Sequence, residues 1–219
     1  MNAIIFGATG MVGQGVLREC LLDSEILHVL SIVRSPTGQQ HPKLRELAHA
    51  NFFDFSPIES ELAGFDAAFF CLGATSAGKT EEQYSRLTYD ITMAAAEPLA
   101  RLNPDMTFVF VSGAGTDSTE RGRAMWARVK GKTENALLRL PFKAAYMFRP
   151  GVIQPMHGAK SRTALYRIPY MILWPFMPWL RKRFPQYVTT TEQLGRAMLA
   201  VAKHGAPKTV LESADINKL

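Results

Sequence analysis

The chain has 219 residues, 47% apolar and 20% charged, with 25 Lys and Arg against 19 Asp and Glu. That length carries one large domain with a full core, and the composition excludes a disordered or disulfide-stapled chain. The net charge of +6 gathers in RGRAMWARVKGK (121–132) and LRKRF (180–184). Such patches hold phosphates, acidic lipids or nucleic acid, or form a solvated face; the solvated face is the reading taken, and no nucleic-acid partner is expected. The N-terminus opens directly on a strand pattern, without a basic region or a cleavage site, so no secretory signal is expected. Cys20 and Cys71 sit in apolar surroundings and read as buried thiols of a reducing compartment, which points to the cytoplasm.

Taken in chain order, Ala3 to Phe6 is a short apolar run that feeds the glycine turn GATGMVG (7–13). Val12 to Leu22 has helical spacing, and His28 to Val33 is apolar and β-branched, hence a strand. The stretch from 43 to 55 is ambiguous; a strand around Ala48 to Phe53 would complete the pattern. Asp66 to Leu72, Met106 to Val111 and Ala144 to Phe148 are further strands. Helix-length segments lie between and after them: Glu81 to Leu102, Glu120 to Leu138 and Gln193 to Lys203. Thr209 to Leu211 adds a last short strand. Runs apolar throughout, alternating with helices, predict a parallel sheet covered on both faces. The expected fold is a single doubly wound α/β (Rossmann) domain over 1–219, with 154–190 as a small C-terminal cap.

Two glycine stretches compete for a nucleotide. In the first, Gly7 permits the sharp exit from the strand. Gly10 lets backbone approach a pyrophosphate, and Gly13 lets helix pack close on strand. The following helix N-terminus then turns its free N–H groups and positive dipole end toward the phosphates. The second, GATSAGKT (73–80), fits the ATP- or GTP-binding pattern G-x-x-x-x-G-K-[ST] at every fixed position. A hydrolase of that kind needs an acidic residue at a strand end to hold Mg²⁺. The central strands end instead in Arg34, Leu72, Ser112 and Arg149. Thr80 and Gln83 also form a T-x-x-Q capping box, which accounts for the match without a ligand. The first loop is therefore taken as the nucleotide site, and no metal is expected. Arg34 stands where NAD-specific folds tend to place Asp or Glu. An arginine there suits a 2′-phosphate, so NADP is expected in preference to NAD; an ordinary exposed loop cation is the alternative.

In GATGMVG, FFCLGATSAG, VSGAG, VKGKTE and FRPGVI, in that order over residues 1–153, the sequence resembles the atypical short-chain dehydrogenase/reductase superfamily. The likeness is to its Tat-interacting-protein-like and NmrA-like members. TTTEQLGRAML (189–199) is similar to that family's closing helix. The resemblance implies that Gly7, Thr9, Gly10, Met11 and Val12 cradle the pyrophosphate, and that Asn51 and Phe52 lie beside the adenine. It places Leu72 and Gly73 on the adenosine side and Pro150, Gly151 and Val152 at the nicotinamide. It implies that Lys130 bonds the nicotinamide ribose and that Ser112 orients the substrate.

One position departs from the family pattern. The family's proton-transferring Tyr stands one helical turn before the Lys, where its pKa is lowered by the ammonium. Here that position is Trp126, whose indole N–H has no useful acidity near neutral pH. His157 is the best-placed substitute acid, water is another, and a loop histidine is the plainer role for His157. Trp126 otherwise reads as packing, or as a flat wall against the nicotinamide. Two functions follow. One is an NADP(H)-dependent oxidoreductase acting on a small apolar carbonyl or alcohol. The other is a non-catalytic NADP(H)-binding sensor that acts through a protein partner or a membrane surface. The aromatic segment TALYRIPYMILWPFMPWLRKRF (163–184) is too short in its uncharged part to span a bilayer. It reads as a crevice cover, a homodimer interface, or a peripheral membrane contact through 168–184.

Overall fold

The computed structural model describes residues 1–159, 183–184 and 186–219. Most of the cap expected over 154–190, and nearly all of the aromatic segment, lies outside the described residues. The main sheet holds seven strands, all parallel: β1 (Asn2–Phe6), β2 (His28–Val33), β3 (Leu44–Ala48), β4 (Ala67–Phe70), β5 (Thr107–Val111), β6 (Ala144–Arg149) and β9 (Val210–Glu212). Their order across the sheet is β3-β2-β1-β4-β5-β6-β9. A short parallel ribbon of β7 (Val152–Gln154) and β8 (Val188–Thr190) lies outside it.

The apolar runs form central strands because both faces of the sheet are covered. Ala3 and Ile5 of β1 pack with α1 (Met11–Leu22) and α5 (Thr191–His204). Ile4 and Phe6 point the other way, toward α3 (Ile91–Leu102) and α4 (Met125–Leu137). Helices α1 and α5 approach through glycine. A Cβ on Gly15 would lie 2.4 Å from the Thr191 carbonyl oxygen, and one on Gly195 would lie 3.0 Å from the Gly15 oxygen.

Three expected boundaries shift, each for a local reason. The third strand is Leu44–Ala48, not 48–53, and it is a half-exposed edge strand, so no continuous apolar run marks it. The stretch after it is a turn, in which the His49 Nε2–H lies 2.7 Å from the Asn51 carbonyl and 2.8 Å from that of Asp54. The helix expected from Glu120 begins at Met125, because the Asp117 carboxylate accepts hydrogen bonds from the N–H groups of Thr119, Arg121 and Gly122 and holds that loop. The segment 81–102 divides into α2 (Glu81–Ser85), a wide turn at Arg86–Asp90, and α3. A last short helix, α6 (Ser213–Ile216), follows β9.

The chain turns one way from β1 through β3 and the other way from β4 through β6. The reversal opens a crevice at the carboxyl ends of β1 and β4, where α/β sheets of this kind bind ligands.

Candidate functional site

The first glycine turn stands at that crevice. Gly7 has φ +86°, and a Cβ on it would lie 2.9 Å from both the Cys71 carbonyl carbon and the Leu72 nitrogen. Strand β4's exit is that close to β1's, so only glycine fits. Gly13 is more constrained still: its Cβ would lie 2.1 Å from the Gly7 oxygen. Gly10 donates its N–H to the Gly7 oxygen at 2.9 Å and serves as N-cap of α1 without a side-chain cap. No acidic residue occupies the first turn of α1. The first-turn N–H groups, those of Met11 and Val12 among them, are left to face the crevice, which makes an anion site. Thr9 supports the turn by accepting a hydrogen bond from Gln14 Nε2 on its carbonyl at 3.0 Å.

Arg34 directly follows β2. It is exposed and makes no hydrogen bond or ion pair among the described residues. The loop beyond it folds back on β3, where the Thr37 N–H and hydroxyl both donate to Glu46, at 2.8 and 2.6 Å. A cavity of about 320 Å³ lies between that loop and the glycine turn, lined by Ala8, Thr9, Gln14, Leu17 and Gln39 among others. Asn51 is exposed, while Phe52 is buried with its ring edge-on to Phe55 at 5.7 Å. Leu72 is half-buried, and Gly73 is exposed with open space around its Cα.

The second glycine loop is built differently. Thr80 is the N-cap of α2: its hydroxyl accepts from the Gln83 N–H at 3.2 Å, and the Gln83 side chain accepts from the Thr80 N–H at 3.1 Å. In a Walker loop that hydroxyl is free for Mg²⁺. Here it is committed to the helix end, and Lys79 precedes the helix. Among the described strands of the main sheet only β9 closes on a carboxylate, Glu212, and it lies three strands away from β4.

Toward the other end of the crevice, Ser112, Lys130 and Pro150 come together. The Lys130 ammonium donates to the Ser112 carbonyl, and a Cβ on Gly113 would lie 3.5 Å from Nζ. Burial pushes the Lys130 pKa down to about 8, against the opposing attraction of Glu134. The Pro150 carbonyl accepts from the Ala114 N–H at 2.9 Å, which ties β6's exit to β5's. Gly151 donates its N–H to Ser213 Oγ at 2.8 Å, and a Cβ on it would lie 2.5 Å from the Tyr187 oxygen. Val152 begins β7 and is exposed. One helical turn before Lys130, the Trp126 ring lies against Gly115, whose Cβ would lie 3.3 Å from the ring edge.

Two residues that sequence reasoning passed over shape this end. Glu134 is 1% exposed and sits one turn beyond Lys130. It accepts from Ser112 Oγ at 2.5 Å and from Arg149 Nε at 3.0 and 3.2 Å, with Arg149 Nη2 completing a two-pronged ion pair. The signal was present in the letters: both residues stand inside motifs already singled out, VKGKTE and FRPGVI. His157 is placed elsewhere. Its Nε2 lies 2.6 Å from Glu192 on α5, across the sheet from α4, and it lines a cavity of about 200 Å³ with Gln14, Arg18 and Gln39. The structure does not bring it to Lys130 and Trp126. Both cysteines are unpaired thiols; Cys20 is buried and Cys71 half-buried.

Sheet order, glycine turn and uncapped helix together define a Rossmann fold of the dinucleotide-binding type. The chain matches no protein-family model. It is similar to "Protein FMP52, mitochondrial" of Eremothecium gossypii, with 31% identity over 155 residues, 70% of this chain and 66% of that protein's length. A second such protein, "fmp52-2, mitochondrial" of Aspergillus oryzae, is 27% identical over all of this chain and 96% of its own length. Among solved structures, a thiolation-reductase di-domain from an archaeal non-ribosomal peptide synthetase superimposes with TM-score 0.69 at 12% identity, over 97% of this chain and 70% of that one. The Bordetella bronchiseptica enzyme WbmF, solved with NAD+, gives 0.67 at 15% identity over 99% and 76%. At these identities the structures share the fold. The cytoplasmic location expected from the two thiols does not stand, because the similar proteins are mitochondrial by name. Unpaired cysteines report a reducing environment and do not tell one reducing compartment from another. Among the described residues no helix is long and apolar enough to cross a membrane.

Proposed function

We propose that the protein binds NADP(H) across the carboxyl ends of β1, β2, β4 and β5 and acts as a short-chain dehydrogenase/reductase-like oxidoreductase on a small apolar carbonyl or alcohol. The observation that carries this is the turn at Gly7–Gly13, where backbone leaves no room for a Cβ and α1 opens without a cap. A dinucleotide supplies hydride chemistry when bound. Met11 and Val12 would receive its pyrophosphate on their N–H groups, and Lys130 would donate to the nicotinamide ribose from α4, beside the end of β5. Solved structures with this fold in complex with NAD+, WbmF and MoeE5 among them, support a nicotinamide dinucleotide. The choice of the phosphorylated form rests on Arg34 alone. A mitochondrial setting is the one that the relatives' names support.

One observation favours a second reading, a sensor that binds the cofactor without turning it over. Trp126 stands at the sequence position of the proton-transferring tyrosine, and the substitute acid expected from the sequence, His157, is bound to Glu192. Steady-state turnover of NADPH and NADP+ over a panel of carbonyls and alcohols separates the two readings, with cofactor affinity measured independently. The variant Trp126→Tyr sets a phenol one turn from the Lys130 ammonium, which lowers its pKa. General acid catalysis contributes typically ~10²–10⁴-fold, so the variant should show activity well above the natural chain. If both proteins bind NADPH and neither turns it over, the sensor reading replaces the enzymatic one.

A further inference from the structure

Ser112 stands at the carboxyl end of β5, where the oxidoreductase reading calls for a hydroxyl that donates to a substrate carbonyl. Its surroundings do not leave it a proton to donate. A serine hydroxyl carries one proton and two lone pairs. Two protein acceptors already compete for that proton: the Glu134 carboxylate at 2.5 Å and the Phe148 carbonyl at 3.2 Å. The carboxylate wins, since a charge-assisted O–H···O⁻ bond at this length is roughly twice as strong as a neutral one. Glu134 is in turn held by Arg149 through Nε and Nη2. Arg149 itself is anchored to Ser118 Oγ at 2.5 Å and lies 3.5 Å from Glu212. The ion pair keeps Glu134 a pure acceptor, and the rotor of Ser112 is fixed by it.

We propose that Glu134 is a positioning residue that turns Ser112 into a hydrogen-bond acceptor, so that the site selects a ligand carrying a hydroxyl, a secondary alcohol, over the matching ketone. The inference rests on the oxidoreductase reading and names the substrate class of that site. The chemistry is complementary on both sides. An alcohol can donate its O–H to the Ser112 lone pair and accept from the Lys130 ammonium, one of whose three N–H bonds remains after those to the Ser112 carbonyl and the nicotinamide ribose. A ketone can accept from Lys130 but sets its oxygen lone pairs against those of Ser112, leaving a buried acceptor without a donor. That mismatch is worth on the order of tenfold to a hundredfold in affinity.

The test is ligand-observed NMR titration of the NADP(H)-loaded protein with matched pairs, cyclohexanol with cyclohexanone and 1-phenylethanol with acetophenone. Dinucleotide affinity is measured first by calorimetry. The natural protein should bind each alcohol tenfold or more tightly than its ketone. Ser112→Ala should bring the ratio near one, and Ser112→Thr, which keeps the hydroxyl, should restore it. Glu134→Gln should lower the ratio toward one or invert it, because the hydroxyl proton is no longer held by a charge; a merely structural role would weaken both ligands alike. Equal or ketone-favouring binding with the dinucleotide bound normally overturns the proposal and leaves the oxidoreductase reading standing. Binding of neither member of either pair overturns the proposal as well. Failure of the dinucleotide to bind overturns the reading beneath it.

Discussion

Two glycine loops leave neighbouring strands at the same crevice, and they differ in what their glycines are for. In the first, Gly7 and Gly13 are imposed by backbone packed within 2.1 to 2.9 Å of where a Cβ would stand. In the second, Gly73 and Gly78 have nothing within 4 Å, and Gly78 serves only a turn with φ +72°. The helices behind them differ in the same sense. Helix α1 starts at Gly10 with no side chain on its free donors, whereas α2 starts at Thr80, whose hydroxyl answers the Gln83 N–H in a capping box. A phosphate site is made of unanswered N–H groups and missing side chains. In the loop with the fuller motif match no backbone closes on the glycines, and the helix behind it is already capped by Thr80.

The comparison breaks most visibly at Gly13. Gly13→Ala drives a methyl group onto a backbone oxygen that cannot swing aside as a side chain can. The cost should lie at or above the top of the ~1–3 kcal/mol typical of overpacking, with dinucleotide binding lost. Gly73→Ala, in open space, should stay within ~0.5 kcal/mol of the natural chain. Urea unfolding of both variants, with calorimetric titration of NADPH, checks the pair. If the two substitutions were tolerated equally, close packing would not be what sets the first loop apart.

Arg34 sharpens the same contrast, because it extends the phosphate site from the glycine turn to the exit of β2. An exposed guanidinium without a partner among the described residues is available for a 2′-phosphate, and a charge-assisted contact of that kind is worth about 1.5–3 kcal/mol. Arg34→Ala should therefore weaken NADP(H) by roughly tenfold to a hundredfold and leave NAD(H) unchanged. Equal calorimetric affinities of the natural protein for the two cofactors would remove the argument for NADP.

How much of this was legible in the letters depends on how local each feature is. The parallel pairing of β1, β2, β4, β5 and β6 follows from apolar runs separated by helix-length segments, since burial on both faces erases the polar alternation of a one-sided sheet. Strand β3 escaped because an edge strand needs no such run: an exposed Arg45 and a half-buried Glu46 stand between Leu44 and Leu47. The late start of α4 escaped because a side chain, Asp117, holds the preceding loop by three backbone N–H groups. Gly7, Gly10 and Gly13 were readable because backbone sterics act within a few residues. The coupling of Ser112 to Glu134, and of Glu134 to Arg149, was not, because it joins positions 22 and 15 apart that only the sheet register and the α4 packing bring together. His157 looked available for chemistry because its partner Glu192 is 35 residues away.

The smallest expected effects fall on the second loop, and they decide whether its motif is a coincidence. If Thr80 serves the helix and no metal, Thr80→Ala should cost about 1 kcal/mol of stability, the usual loss for an N-cap hydroxyl, without changing nucleotide affinity. Lys79 does less. It precedes α2, its ammonium makes no hydrogen bond or ion pair among the described residues, and none of the neighbouring described strands ends in a carboxylate that could hold Mg²⁺ with it. Lys79→Ala should therefore change stability by less than ~0.5 kcal/mol and leave NADPH affinity within error. The natural chain should show no Mg²⁺-dependent ATP or GTP hydrolysis above the buffer rate. The decisive pairing is hydrolysis measured on the natural chain and on Lys79→Ala together. Phosphate release that the substitution abolishes would mean that α2 uncaps to receive a nucleotide, and the assignment of the two loops would have to be exchanged. With no release from either protein and the stability loss confined to Thr80→Ala, the G-x-x-x-x-G-K-T spacing reduces to a turn followed by a capping box.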